Sequence, residues 1–141
     1  MTDTPGARPF ILVGVDGSAS SVTALRYAAA EARLRGAAVH AVGVYIYGDS
    51  GNEAERATQL VTHAVAAARD IGGWWPEQVS VSAHEGPVPE VLHRLSRHAV
   101  LLVVGANAHG VLGRLIEGSV LPAMTRHVHV PTVIVPTDWH A

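Results

Sequence analysis

Two hydrophobic periods alternate along the chain. Phe10 to Val15 (FILVGV) is a short apolar run closed by Asp16-Gly17-Ser18, after which Val22, Leu25, Ala28, Ala29 and Ala32 recur at helical spacing up to Gly36. The run predicts a strand and the spacing a helix. Ala37 to Tyr45 predicts a second strand. Beyond Gly48-Asp49-Ser50-Gly51, the stripe Ala57, Leu60, Val61, Ala64, Val65, Ala68 and Ile71 predicts a long helix that stops at Gly72-Gly73, with Ser50 and Glu53 spaced as a capping box. The alternating QVSVSA then predicts a third strand, and Val88, Val91, Leu92 and Leu95 a third helix. Ala99 to Val104 is buried-strand material, Val120 to Val128 a fourth helix, and PTVIVP (Pro131 to Pro136) a last strand bracketed by prolines.

Five strands alternating with four helices predict a single α/β domain over 1–141, residues 1–8 being a flexible N-terminus. The sheet should be open, five-stranded and parallel, Rossmann-like, with right-handed crossovers and helices on both faces. In such sheets ligands bind beyond the carboxyl ends of the strands, where the winding direction reverses. If the first and fourth strands are central neighbours, Asp16 and Gly105 share that crevice. Periodicity does not set the strand order.

Composition narrows the function classes. Of 141 residues 48% are hydrophobic and 16% charged, which predicts a folded globular chain. All ten basic residues are Arg and the formal charge is −2, so no broad attraction to nucleic acid is expected. Cysteine is absent, which removes disulfides and thiolate chemistry. No apolar run approaches a membrane span and the N-terminus does not read as a signal peptide, so the expectation is a cytoplasmic protein. A chain without lysine cannot supply the lysine of a Walker phosphate loop, GVDGSASS lacks the dinucleotide glycine spacing, and no Gly-x-Ser-x-Gly elbow occurs. His127 and His129 have no nearby third ligand, so no metal is expected. Trp74 and Trp75 read as packing residues, with an interaction patch as the alternative.

The stretch AVLLVVGANAHGVLGRLIEGSV leads from an apolar run through a glycine-spaced loop to Gly118-Ser119 and a new helical pattern. The first N–H groups of a helix lack internal partners and suit a phosphate. Each piece also has a plain reading: Asp16-Gly17-Ser18 as a turn with an N-cap, and the loop as an ordinary connection. Only their joint placement after two strands of one sheet argues for a nucleotide.

These residues resemble the single-domain universal stress proteins over nearly the whole chain. The resemblance rests on ILVGVDGSASSVTALRYAAAEARLRGAAVHAVGVY, EGPVPEVL, VVGANAHGVLGRLIEGSV and RHVHVPTVIVP. It implies an adenine nucleotide alpha hydrolase-like fold and ATP, with or without Mg2+, bound without dedicated catalysis. By position, Asp16 would approach the adenine, Val44 would line the base pocket, and Gly105 would pass the ribose and phosphates. Gly118 and Ser119, with the N–H groups of Val120 and Leu121, would hold the phosphate tail. Val15, Ala108 and Gly110 complete the implied ATP-binding set. Three positions depart from the family pattern: Ala108 replaces the second loop glycine, Glu117 sets a carboxylate beside the phosphate site, and Val100 stands where an aspartate is common. The resemblance further implies a homodimer paired through Val133, Ile134 and Val135. The other readings are a dimerising stress protein that does not bind nucleotide and a slow adenylate-handling enzyme.

Overall fold

The structure, a computed structural model, describes residues 8–106 and 129–140. In chain order the elements are β1 (Phe10–Gly14), α1 (Ala19–Arg35), β2 (Ala38–Tyr45), α2 (Glu53–Asp70), β3 (Val79–Glu85), α3 (Val88–Ser96), β4 (Leu101–Gly105) and β5 (Thr132–Val135). The helix expected at 120–128 lies outside the described residues, as do Ala108, Gly110, Gly118, Ser119, Val120 and Leu121.

The strands form one sheet in the order β3-β2-β1-β4-β5, every neighbouring pair parallel. β1 is therefore central, and β1 and β4 are the neighbours on which the sequence argument depended. Right-handed connections that step from β1 to β2 to β3 place their helices on one face; the return to β4 places α3 on the other. The core divides accordingly. Ile11, Val13, Val39, Ala41, Leu101, Val103 and Val135 pack with α1 and α2, whereas Leu12, Val42, Leu102 and Val104 pack with Val88 and Leu92 of α3. Because both faces are covered, β1 and β4 read as unbroken apolar runs rather than as alternations. QVSVSA alternates because β3 is an edge strand, and its side chains are mostly half-buried.

α1 ends at Gly36, whose φ of 63° is the left-handed conformation that glycine adopts without strain. Its buried stripe is Ser20, Ala24, Leu25, Ala28, Ala29 and Ala32 together with Ser21 and Thr23, and Val22 sits at the margin, half-buried. In α2 the stripe Ala57, Val61, Ala64, Val65 and Ala68 is buried as expected, but Leu60 and Ile71 remain 49% and 57% exposed. Ile71 is the C-cap, beyond the last turn that meets the sheet. Leu60 leans instead over the turn after β1, where a methyl group placed on Gly17 would lie 2.8 Å from its Cδ2.

The expected capping box does not form. α2 begins at Glu53 behind an Asn52 N-cap, so Ser50 precedes the cap, and Glu53 is not at the third helical position. The Ser50 hydroxyl instead points at Glu53 Oε1, 2.6 Å away, and lies 2.8 Å from Asn52 Oδ1. That hydrogen bond holds the Glu53 carboxyl below its ordinary pKa.

On β2, His40 stacks on Phe10 with ring centroids 4.1 Å apart, and burial pushes its imidazole below the ordinary 6.5. Below pH 6.5 the unfolded chain therefore binds more protons at this residue than the folded one. The stability that His40 contributes is complete above its unfolded pKa and is lost as the pH falls through the lowered folded value. His40→Gln should flatten the acid-side decline of stability, measured by urea unfolding at pH values on either side of 6.5. An unchanged slope would mean that His40 is as easily protonated in the fold as in the open chain.

Candidate functional site

Beyond β1 the chain stays in the sheet for one more residue, Val15, whose N–H donates to the Val42 carbonyl at 2.8 Å, and then turns away at Asp16. The half-buried Asp16 carboxylate accepts from the Ser18 N–H at 2.9 Å, closing a turn whose middle residue, Gly17, has a φ of +84°. Ser18 has extended backbone angles and is the N-cap of α1, its Oγ accepting from the Ser21 N–H at 3.2 Å. The Ser21 hydroxyl donates back to the Ser18 carbonyl at 2.8 Å, and the hydroxyl oxygens of Ser18 and Ser20 are 3.2 Å apart. The plain reading of Asp16-Gly17-Ser18 as a turn with an N-cap is thus what the chain builds. Ser18→Ala should cost about 1 kcal/mol of stability in urea, the usual value of an N-cap hydroxyl; an unchanged midpoint would show that the Ser18 carbonyl alone secures the first turn.

The pairing of Val13 with Val103, continued two residues, sets Val15 level with Gly105. Likewise the pairing of Gly14 with Val42 sets Asp16 level with Val44. Val15, Asp16, Val44 and Gly105 therefore meet at one edge of the sheet, at the carboxyl ends of three adjacent strands and where the winding reverses. Val44 is half-buried at the margin of the α3-side core and faces His84 of β3 in register. His84 Nε2 lies 2.9 Å from the Ser82 hydroxyl. Burial, and then the positive charge of Arg94, lower the imidazole pKa.

Gly105 has a structural reason to be glycine. A methyl group there would lie 2.6 Å from the backbone carbonyl carbon of Ser20 and 2.7 Å from its oxygen. The first turn of α1 thus rests directly on the end of β4. Sequence reasoning missed Ser20, although it stands four residues before Ala24 and eight before Ala28, so extending the buried stripe backwards would have reached it. Leu60 over Gly17 was also missed, because it falls within the helical stripe that predicts burial in the core.

At the sheet edge, β4 donates from the Leu102 N–H to the Pro131 carbonyl at 2.9 Å, and the Ala106 N–H donates to the Val135 carbonyl at 2.8 Å. Residues 131, 133 and 135 thus turn their backbone groups toward β4, and Thr132 and Ile134 turn theirs outward. The side chains of the three expected interface residues divide as well. Val135 is 1% exposed and belongs to the core, Val133 is half-buried against the same cluster, and Ile134 is 39% exposed. Of these three, Ile134 has the most exposed apolar side chain.

Among the described residues, no three histidine, aspartate or glutamate side chains converge as metal ligands, and no helix is long and apolar enough to cross a membrane. Among the described residues, the crevice offers backbone groups, the Asp16 carboxylate and apolar walls.

Comparison with known proteins bears on this geometry. A relative from Mycolicibacterium smegmatis, a universal stress protein, is 31% identical over 144 residues, covering 93% of this chain and 49% of the relative. The chain spans about half the length of the curated relatives it matches. Among solved structures, the universal stress protein from Archaeoglobus fulgidus in complex with dAMP is 26% identical with a TM-score of 0.63, the match covering 92% of this chain and 98% of that one. A universal stress protein in complex with cAMP is 25% identical with a TM-score of 0.65, covering 94% of this chain and 99% of that one. The model of the universal stress protein family matches residues 10–136, from the start of β1 to the proline after β5. Sheet order, the turn after β1 and this match agree: the chain belongs to the universal stress protein family.

Proposed function

We propose that the chain is a non-catalytic ATP-binding module that regulates a stress response, the nucleotide lying in the crevice between the ends of β1 and β4. The observation that carries this reading is the meeting of Asp16, Val44 and Gly105 at the point where the sheet reverses its winding. Two similar family members with solved structures are complexes with cAMP and dAMP, which supports an adenine nucleotide. The phosphate tail falls to the loop ending at Gly118-Ser119, where helix N–H groups would meet it. The protein works as a homodimer paired along the outward edge of β5, in the cytoplasm.

Isothermal calorimetry with ATP, with and without Mg2+, tests the reading, supported by assay of the purified protein for adenine nucleotide released by acid. Saturable binding is expected, and no heat at millimolar ATP would overturn it. Turnover of radiolabelled ATP should stay far below the roughly 10 per second of a median enzyme, because the chain has no lysine and the described residues present no convergent acid–base pair to stabilise a phosphoryl transition state. A robust rate would favour the adenylate-handling reading.

The second reading, a stress protein acting through protein contacts without nucleotide, is favoured by one observation. Asp16 caps its own turn and Gly105 is glycine to admit Ser20, so both residues have structural roles that need no ligand. Calorimetry separates the two readings.

A further inference from the structure

All three tryptophans of the chain line one groove at the other end of α1 from the crevice. α1 has 17 residues, about 25 Å at 1.5 Å per residue. The groove encloses about 310 Å³, a volume at the lower end of small-molecule sites. Ala29 and Ala30 of α1 and Ala68 of α2 line it with small side chains. Gly72 and Gly73, with φ of 101° and 90°, turn the chain so that Trp74 and Trp75 form one wall. Trp139 forms another, anchored by an edge-on contact with Tyr27 at 5.3 Å and by the Thr23 hydroxyl donating to the Thr137 carbonyl at 2.9 Å.

The groove carries charge of one sign. Arg26, half-buried, and Arg33 both line it, and among the described residues no acidic side chain does. Among the described residues neither guanidinium forms an ion pair with a carboxylate. The Arg33 guanidinium carbon lies 5.7 Å from the centre of the Trp74 ring, so the aromatic wall and the cation are adjacent. Indole faces favour a flat apolar body, and a guanidinium favours a carboxylate through paired N–H bonds.

We propose that this groove is a second ligand site, taking a small aryl carboxylate with its ring among the tryptophans and its carboxylate on Arg26 and Arg33. The site is separate from the nucleotide crevice, and its existence does not depend on ATP binding.

The test follows the three indole N–H signals by proton–nitrogen NMR while full-length protein is titrated with 2-naphthoate, with affinity measured in parallel by calorimetry. Every indole lies in the groove, so saturable shifts of these signals report on it directly. The uncharged 2-naphthylmethanol should bind about tenfold or more weakly, and Arg33→Gln should weaken naphthoate by a similar factor while hardly affecting the alcohol. Ala30→Leu, at a half-buried position, should block both compounds. Arg33→Gln changes an exposed side chain, so its fold is secure even if Ala30→Leu distorts the helix. No saturable shift at millimolar naphthoate would overturn the proposal, as would equal affinity for acid and alcohol, or indole shifts that depend on protein concentration alone and so mark a second copy in the groove.

Discussion

Gly105→Ala is expected to destabilise the protein by about 2 kcal/mol, seen as a lower midpoint in urea with an unchanged slope. The β carbon it introduces meets the Ser20 hydroxyl first and then backbone, at 2.6 Å from the Ser20 carbonyl carbon. A flexible side chain could swing aside from such a contact. The first turn of α1 cannot, because Ser18 and Asp16 tie it to the end of β1. Relief therefore requires lifting the helix from β4 and loosening Leu25, Ala28 and Ala32, which pack with Leu101 and Val103 in one core cluster. Shortening the Ser20 side chain in a second variant should rescue little, since the obstruction includes the backbone. A wild-type midpoint for Gly105→Ala would show that α1 can shift at no cost. The result also bears on function: weakened ATP binding in this variant is expected from the displaced helix and does not by itself place the nucleotide against Gly105.

Gly118→Val should abolish ATP binding while leaving the far-UV circular dichroism unchanged. On the proposed reading, Gly118 lets the phosphate tail approach the N–H groups of Ser119, Val120 and Leu121, and a branched side chain would occupy that space. The position lies outside the described residues, so the expectation rests on the motif and on the need of helix N–H groups for an anionic partner. The pair of variants is informative together. Gly105→Ala should lose stability with or without ATP. Gly118→Val should keep the stability of the ligand-free protein and lose only the extra stability that ATP confers by mass action. Equal ATP affinity in wild type and Gly118→Val would remove the loop from the site and favour the reading in which the protein works through protein contacts.

Much of this protein was legible in the sequence because its local signals agree. FILVGV and LLVVG had to be covered on both faces, and the alternation of strands with helices required a parallel sheet. The N-cap at Ser18 and the helix end at Gly36 were readable because capping chemistry is confined to a few neighbouring residues. Strand order was not, because nothing local distinguishes 3-2-1-4-5 from other windings; only the packing of α1 and α2 against one face and α3 against the other decides it. Ser50 and Glu53 have the spacing of a capping box, but the helix starts at Glu53, and a pattern defined by position fails when the boundary moves by two residues. Leu60 fits the helical stripe, yet it covers a turn that comes from the other side of β2 in sequence. Gly105 shows the division most clearly. Its identity was visible and its place at the crevice was inferred, but the contact that requires a glycine there joins residues 85 positions apart, and such a contact exists only once the sheet has brought β4 beneath the first turn of α1.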